Sequence, residues 1–173
     1  MWCPYQKWRF FKYTKNISST KIRQKIFAVG TSPDTRRSKL KRLVEAKNIV
    51  RILESHSALT GLIIENLKLT DKNKILEFDG MWSSSLTDST IRGKPDNQTV
   101  DYSTRISGLN EILDVTTKPI IFDADNGGRI EHLPYLIKTL ERSGVSAIVI
   151  EDKIGLKKNS LYKDQIGSEQ DTI

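Results

Sequence analysis

Carboxylates recur where short apolar runs end: Glu54 after Val50–Leu53, Asp123 and Asp125 after Pro119–Phe122, and Glu151 with Asp152 after Ala147–Ile150. Acids two residues apart at a strand end point the same way, so Asp123 and Asp125 face a common centre. Clustered carboxylates repel unless a proton or a cation neutralises them. No cysteine or well-spaced histidine accompanies them. Such an all-oxygen set favours a hard ion such as Mg2+, which keeps several waters and needs only one or two direct carboxylates, and it disfavours zinc. Taken singly, each acid could equally cap a helix or pair with Lys or Arg; taken together, Asp123, Asp125 and Glu151 are read as the metal set. The run Trp82-Ser83-Ser84-Ser85-Leu86 adds hydroxyls and backbone N–H groups suited to a carboxylate or phosphate. Gly127-Gly128 permits a tight turn close to a ligand. The stretch 154–167 carries Lys157, Lys158, Asn159 and Ser160 directly after the acidic strand end. Cations on such a segment suit a lid that closes on an anionic substrate and excludes water.

The elements that must position these residues alternate in type. Ser32-Pro33-Asp34 reads as a helix start, with Leu40, Leu43 and Val44 following at helical spacing. Strands are expected at Val50–Leu53, Phe78–Trp82, Pro119–Phe122 and Ala147–Ile150, and helices at Leu59–Glu65, Ser103–Leu113 and His132–Arg142. Strands alternating with helices form right-handed βα units on a parallel sheet. In open sheets and in eight-stranded barrels alike, ligands bind at the carboxyl ends of the strands, where these acids collect.

The chain has 173 residues, 37% hydrophobic and 28% charged, and a mean hydropathy of -0.43. That composition fits one globular domain and excludes a disordered or collagen-like chain. Apolar runs such as Ala147–Ile150 fall far short of the roughly 20 residues of a membrane helix, so no membrane partner is expected. Cys3 is the single cysteine and has no internal partner, so a reducing compartment is expected. The net charge of +7 suggests nucleic acid until it is divided by position. Residues 1–50 hold 13 Lys/Arg against Asp34 and Glu45, whereas residues 51–173 hold 15 against 19 acids. Basicity thus belongs to a leader over 1–33, rich in aromatics and free of acids before Asp34. That leader reads as a solvated, disordered extension or as a transit-like segment. No RNA-binding signature accompanies its aromatics, and no nucleic-acid partner is expected. A cytoplasmic location follows, or a mitochondrial one if the leader acts as a transit peptide.

The string Glu151-Asp152-Lys153-Ile154-Gly155-Leu156-Lys157-Lys158-Asn159-Ser160-Leu161 closely resembles the gating loop of phosphoenolpyruvate mutases in the isocitrate lyase superfamily. The resemblance extends through Arg51-Ile52-Leu53-Glu54-Ser55-His56-Ser57, Gly80-Met81-Trp82-Ser83-Ser84-Ser85-Leu86-Thr87, Gly93-Lys94-Pro95-Asp96-Asn97 and Phe122-Asp123-Ala124-Asp125-Asn126-Gly127-Gly128. It covers residues 34–173, in the family's order. Lyases of the superfamily carry Lys-Lys-Cys-Gly in the lid; Lys157-Lys158-Asn159-Ser160 has no such cysteine, so isocitrate cleavage is not expected.

The resemblance implies a modified barrel, Mg2+, and an isomerase that interconverts phosphoenolpyruvate and phosphonopyruvate, the entry to phosphonate biosynthesis. It places Asp123 on the ion directly, with Asp125, Glu151 and, as a further candidate, Asp96 holding it through water. Ser84, with the backbone of Ser85 and Leu86, would take the pyruvyl carboxylate and carbonyl, and Trp82 would wall the pocket. Lys157, Asn159 and Ser160 would contact the phosphoryl group. Asp96 would receive or electrostatically manage that group, as a phosphoaspartate or beside a metaphosphate-like species. A related hydrolase would hand the phosphoryl to water and yield pyruvate and phosphate.

A closed eight-stranded barrel takes about 250 residues, whereas about four βα units are read before Ile173. The expected fold is therefore the N-terminal half of a (β/α)8 barrel of the mutase and isocitrate lyase type, over residues 34–173. The family's substrate-gripping arginine on a later strand has no counterpart here. The chain is expected to be a fragment of a longer frame whose complete protein is a homo-oligomer, or a non-catalytic paralogue that binds a partner through its open edge.

Overall fold

The structure, a computed structural model, describes Ser18 and residues 31–72, 74–155 and 157–159. Most of the expected leader, together with Ser160 and the rest of the lid, lies outside the described residues. Five helices are described: α1 Pro33–Ala46, α2 Ala58–Asn66, α3 Ser85–Thr90, α4 Tyr102–Leu113 and α5 Leu133–Ser143. Six strands accompany them: β1 Ile52–Glu54, β2 Lys68–Asp71, β3 Lys74–Glu77, β4 Gly80–Ser83, β5 Ile120–Asp123 and β6 Ala147–Val149.

Local chemistry sets the helix starts. Ser32 accepts the Thr35 amide at 3.3 Å ahead of Pro33, Ser57 and Thr60 form a capping box, and Asp101 accepts the Thr104 amide at 2.9 Å. Helix α5 stops at Gly144, whose φ of 90° is left-handed, as the end of a helix commonly requires. Helix α1 is fastened at long range. The buried Arg36 Nη2 donates to the carbonyls of Leu113 at 2.8 Å and Thr116 at 2.7 Å, and Ser146 Oγ donates to Arg36 O at 2.8 Å.

The four expected strands form one parallel sheet in the order β1-β4-β5-β6. Strand β5 is central and alternates: Ile120 and Phe122 are buried, whereas Ile121 and Asp123 are half-buried on the opposite face. Ile120 and Phe122 join Leu109 and Ile112 of α4 and Leu136 and Leu140 of α5 in one core cluster. The four carboxyl ends therefore share an edge, which carries Glu54, Ser84, Asp123 and the segment entering Glu151.

The structure adds to or differs from these expectations locally. Residues 68–77, between the expected helix over Leu59–Glu65 and the expected strand from Phe78, form the antiparallel hairpin β2–β3, with Leu69 opposite Leu76 and Lys68 opposite Glu77, whose charges lie 3.6 Å apart. Most of its side chains are exposed, so no one-sided apolar alternation marks it in sequence. Strand β4 starts at Gly80 and not at Phe78, because the Asp79 carboxylate takes the Arg51 amide at 2.9 Å and the Lys47 ammonium. The serine run spans a strand end and a helix start: Ser83 ends β4, and Ser84 caps α3 by accepting the Thr87 amide at 3.4 Å. Among the described residues no helix is long and apolar enough to cross a membrane.

Gly80 shows how closely β1, β4 and the approach to β5 are packed. A Cβ there would lie 2.8 Å from Ile52 Cδ1 and 2.9 Å from Pro119 O. Gly80→Ala is expected to destabilise the chain by about 1–3 kcal/mol through overpacking, measured by denaturant unfolding.

Candidate functional site

Asp123 ends β5, and its carboxylate is fixed by three donors. Oδ2 accepts Ser85 N at 3.1 Å and Ser85 Oγ at 2.9 Å, and Oδ1 accepts Asp125 N at 3.0 Å. A carboxylate has about four acceptor positions, so roughly one remains. Two residues on, Asp125 adopts a left-handed φ of 52°. Glu151 N reaches back to Asp125 O at 2.6 Å, tying this turn to the segment after β6.

The Asp125 side chain is 3% exposed and lies between two cations. Arg105 Nη1 donates to Oδ2 at 3.2 Å, and Lys157 Nζ pairs with Oδ1. The ammonium of Lys157, itself 6% exposed, also donates to Asp96 Oδ1 at 2.8 Å and to Ser85 Oγ at 2.7 Å. All three of its N–H donors are therefore used. Burial pulls the Lys157 pKa down, but hydrogen bonds and charge from Asp125 and Asp96 outweigh it and leave the value above its ordinary 10.5.

Around this centre the turns are tied to each other. Tyr102 Oη donates to Ala124 O at 2.6 Å. Its pKa is pushed up to about 12, first by burial and then by the Asp125 charge, which keeps the phenol a donor. Gln98 Nε2 donates to Asn126 Oδ1 at 2.6 Å, and Asn126 Nδ2 donates to Gly155 O at 2.6 Å. A cleft of about 770 Å3 opens beside Asn126, Gly127, Gly128, Lys153 and Gly155.

The structure thus brings together Asp96, Asp123, Asp125, Ser85 and Lys157. Leu86 lies on α3, and Ser84 caps that helix. Trp82, half-buried on β4, is opposite Ile121 in the sheet. Asn159 is buried. Glu151 approaches through its backbone, while its carboxylate lies 2.6 Å from Lys153 Nζ. Glu54 pairs with His56 Nδ1 at 3.2 Å. Sequence reasoning missed Arg105 and Asp88. The signal was present: in Tyr102, Arg105, Ile106, Leu109 and Ile112, Arg105 falls on the apolar stripe of α4, where a charge needs a partner.

Whether the donors suit a divalent ion is decided by their chemistry. Asp96, Asp123, Asp125 and Ser85 present only oxygen, and a cationic ammonium already sits among them. That set fits a hard cation. Among the described residues no three His, Cys, Asp or Glu side chains converge as a metal cage, and a strongly hydrated ion needs only one or two direct carboxylates.

The parallel βα units, with acids gathered at the carboxyl edge, form an α/β scaffold of the barrel type. A family model described as Phosphoenolpyruvate phosphomutase matches residues 40–171; the chain belongs to this family. It is 31% identical to the phosphoenolpyruvate phosphomutase of Tetrahymena pyriformis over 128 residues, which cover 73% of this chain and 40% of that protein. The phosphoenolpyruvate phosphomutase structure from Streptomyces platensis subsp. rosaceus superposes with a TM-score of 0.67 at 25% identity, covering 82% of this chain and 45% of the other. A phosphonopyruvate hydrolase structure in complex with oxalate and Mg2+ gives a TM-score of 0.59 at 25% identity, covering 75% and 41%. The chain spans about two fifths of the length of the curated relatives it matches.

A lysine whose folded pKa is raised adds stability that is full below the unfolded value and fades as pH climbs through the folded one. Lys157→Met is expected to cost about 1–3 kcal/mol at neutral pH, from lost hydrogen bonds to charged groups. That deficit relative to the unchanged chain should shrink above the ordinary lysine value of 10.5, as followed by denaturant unfolding across pH.

Proposed function

We propose that the protein containing this chain is a phosphoenolpyruvate mutase, a Mg2+-dependent isomerase interconverting phosphonopyruvate and phosphoenolpyruvate. The observation that carries this reading is the single ammonium of Lys157, which joins the lid to Asp96, Asp125 and Ser85 at the end of β5.

In the direction of phosphoenolpyruvate, the P–C bond breaks and its electron pair stays on the pyruvyl group as an enolate. The enolate oxygen then takes the phosphoryl group, so no proton or electron is gained or lost. Asp123, with Asp125, Glu151 and Asp96 reaching through water, would hold the divalent ion, which when bound supplies positive charge beside the enolate and carboxylate oxygens. Ser84 and the amides of Leu86 and of Ser85, the last now donating to Asp123 Oδ2, would orient the pyruvyl end, against Trp82. Asn159 and, once one of its N–H groups leaves Asp125, Lys157, with Ser160 in the reading from sequence, would exclude water and supply donors to the phosphoryl group. Asp96, already paired with Lys157 at 2.8 Å, repels the transferring oxyanions unless that lysine stays between them, which makes the pair a positional control on phosphoryl transfer.

Hydrolysis is the second reading, favoured by the 25% identity shared equally with a phosphonopyruvate hydrolase structure. It differs only in whether water reaches the phosphoryl group. Phosphorus NMR of phosphonopyruvate with the protein and Mg2+ separates the two. The mutase gives a phosphoenolpyruvate resonance; inorganic phosphate alone establishes the hydrolase, and an unchanged substrate signal refutes both. Asp96→Ala is expected to lower turnover by about 100-fold or more, with an unchanged circular dichroism spectrum. A near-normal rate would remove Asp96 from the mechanism.

A further inference from the structure

Arg105 has no role in the reading above, yet it is among the most deeply buried charges in the described chain. Its side chain is 1% exposed and its guanidinium lies 4.3 Å from the ring centre of Phe122. Nε donates to Asp88 Oδ2 at 3.0 Å on α3, and Nη1 donates to Asp125 Oδ2 at 3.2 Å after β5. Helix α4 thus reaches both the element that carries the serine run and the left-handed turn that carries Asp125. Burying such a triad gives little net stability against an apolar replacement of equal volume, because desolvation offsets the attraction. What it does give is orientation.

Asp125 is held from three sides: its backbone amide by Asp123 Oδ1 at 3.0 Å, its backbone carbonyl by Glu151 N at 2.6 Å, and its carboxylate Oδ2 by the guanidinium at 3.2 Å. Only Oδ1 is left toward Lys157 and the centre. A carboxylate with one oxygen held back can hold a small octahedral ion through that ion's own waters, as Mg2+ prefers. One with both oxygens free can displace those waters and chelate, as Ca2+ prefers with its higher and more flexible coordination.

We propose that Arg105 is a positioning residue that, with Asp88, holds one Asp125 oxygen so that the other meets the ion only through water, and thereby makes the site select Mg2+ over Ca2+. This rests on the assignment of Asp125 to the divalent-ion site.

The test is titration calorimetry of the chain with MgCl2 and with CaCl2, before and after substitution. D88L/R105L removes both charges together and leaves the net charge unchanged, and thermal unfolding checks that it folds. Its preference for Mg2+ over Ca2+ should fall by about tenfold or more, the scale typical of groups that orient metal ligands, chiefly through tighter Ca2+ binding. Arg105→Lys keeps the charge without the fork that reaches two carboxylates. It should fall part of the way, and it decides the matter if the double variant does not fold. An unchanged preference in the folded variants overturns the role of Arg105 and leaves the ion site standing. Binding of neither ion by the unchanged chain overturns the ion site and this inference with it.

Discussion

Asp125 is one carboxylate shared by two buried cations, and the site is organised around that sharing. Arg105 takes one oxygen from the helix side and Lys157 takes the other from the segment after β6. Neither cation belongs to this carboxylate alone: Arg105 is also bound to Asp88, and Lys157 to Asp96. With Asp123 fixed by Ser85 and by the Asp125 amide, four acids gather against two nearly buried cations. Such an excess of negative charge in a poorly solvated place is costly unless a further positive charge is available. The chemistry proposed above, in which anionic oxygens of an enolate and a phosphoryl group approach the same place, requires that charge.

The fold makes the convergence possible by simple means. Parallel βα units deliver every strand's carboxyl end to one edge, and the two-residue period of β5 sends Phe122 into the core and Asp123 to the other face. The turn that follows would be unusual for most residues, since Asp125 has a φ of 52°. Such backbone costs of order 1–3 kcal/mol and persists where the surroundings over-determine it. Here the surroundings are explicit: hydrogen bonds at the amide, the carbonyl and both carboxylate oxygens.

The architecture was largely legible because each signal is local. Ser32, Ser57 and Asp101 stand where helices begin, Gly144 where one ends, and the apolar runs before Glu54, Asp123 and Glu151 are the strands. Spacing alone groups Asp123 with Asp125, but what joins them is a left-handed turn that brings the Asp125 amide to Asp123 Oδ1. What escaped was whatever depends on contacts distant in the chain. The β2–β3 hairpin is exposed on most of its positions, so its pattern is that of a polar connection. Helix α3 is six residues long, too short for periodicity to declare. Arg105 lies 17 residues from Asp88 and 20 from Asp125, and only the folded chain brings them together. The Glu151 carboxylate, grouped with the aspartates from its place at a strand end, lies beside Lys153, a neighbour whose reach sequence spacing does not exclude.

The central claim is that the acids at the end of β5 hold a divalent cation in a place now bridged by the Lys157 ammonium. The most direct measurement is an anomalous difference map from crystals grown with Mn2+. The account predicts one peak about 2 Å from an Asp123 carboxylate oxygen, with Asp125 facing it through water and the Lys157 ammonium moved off Asp125 while still paired with Asp96. A map with no peak at the β5 end, in crystals where Lys157 is still paired with Asp125, would contradict it.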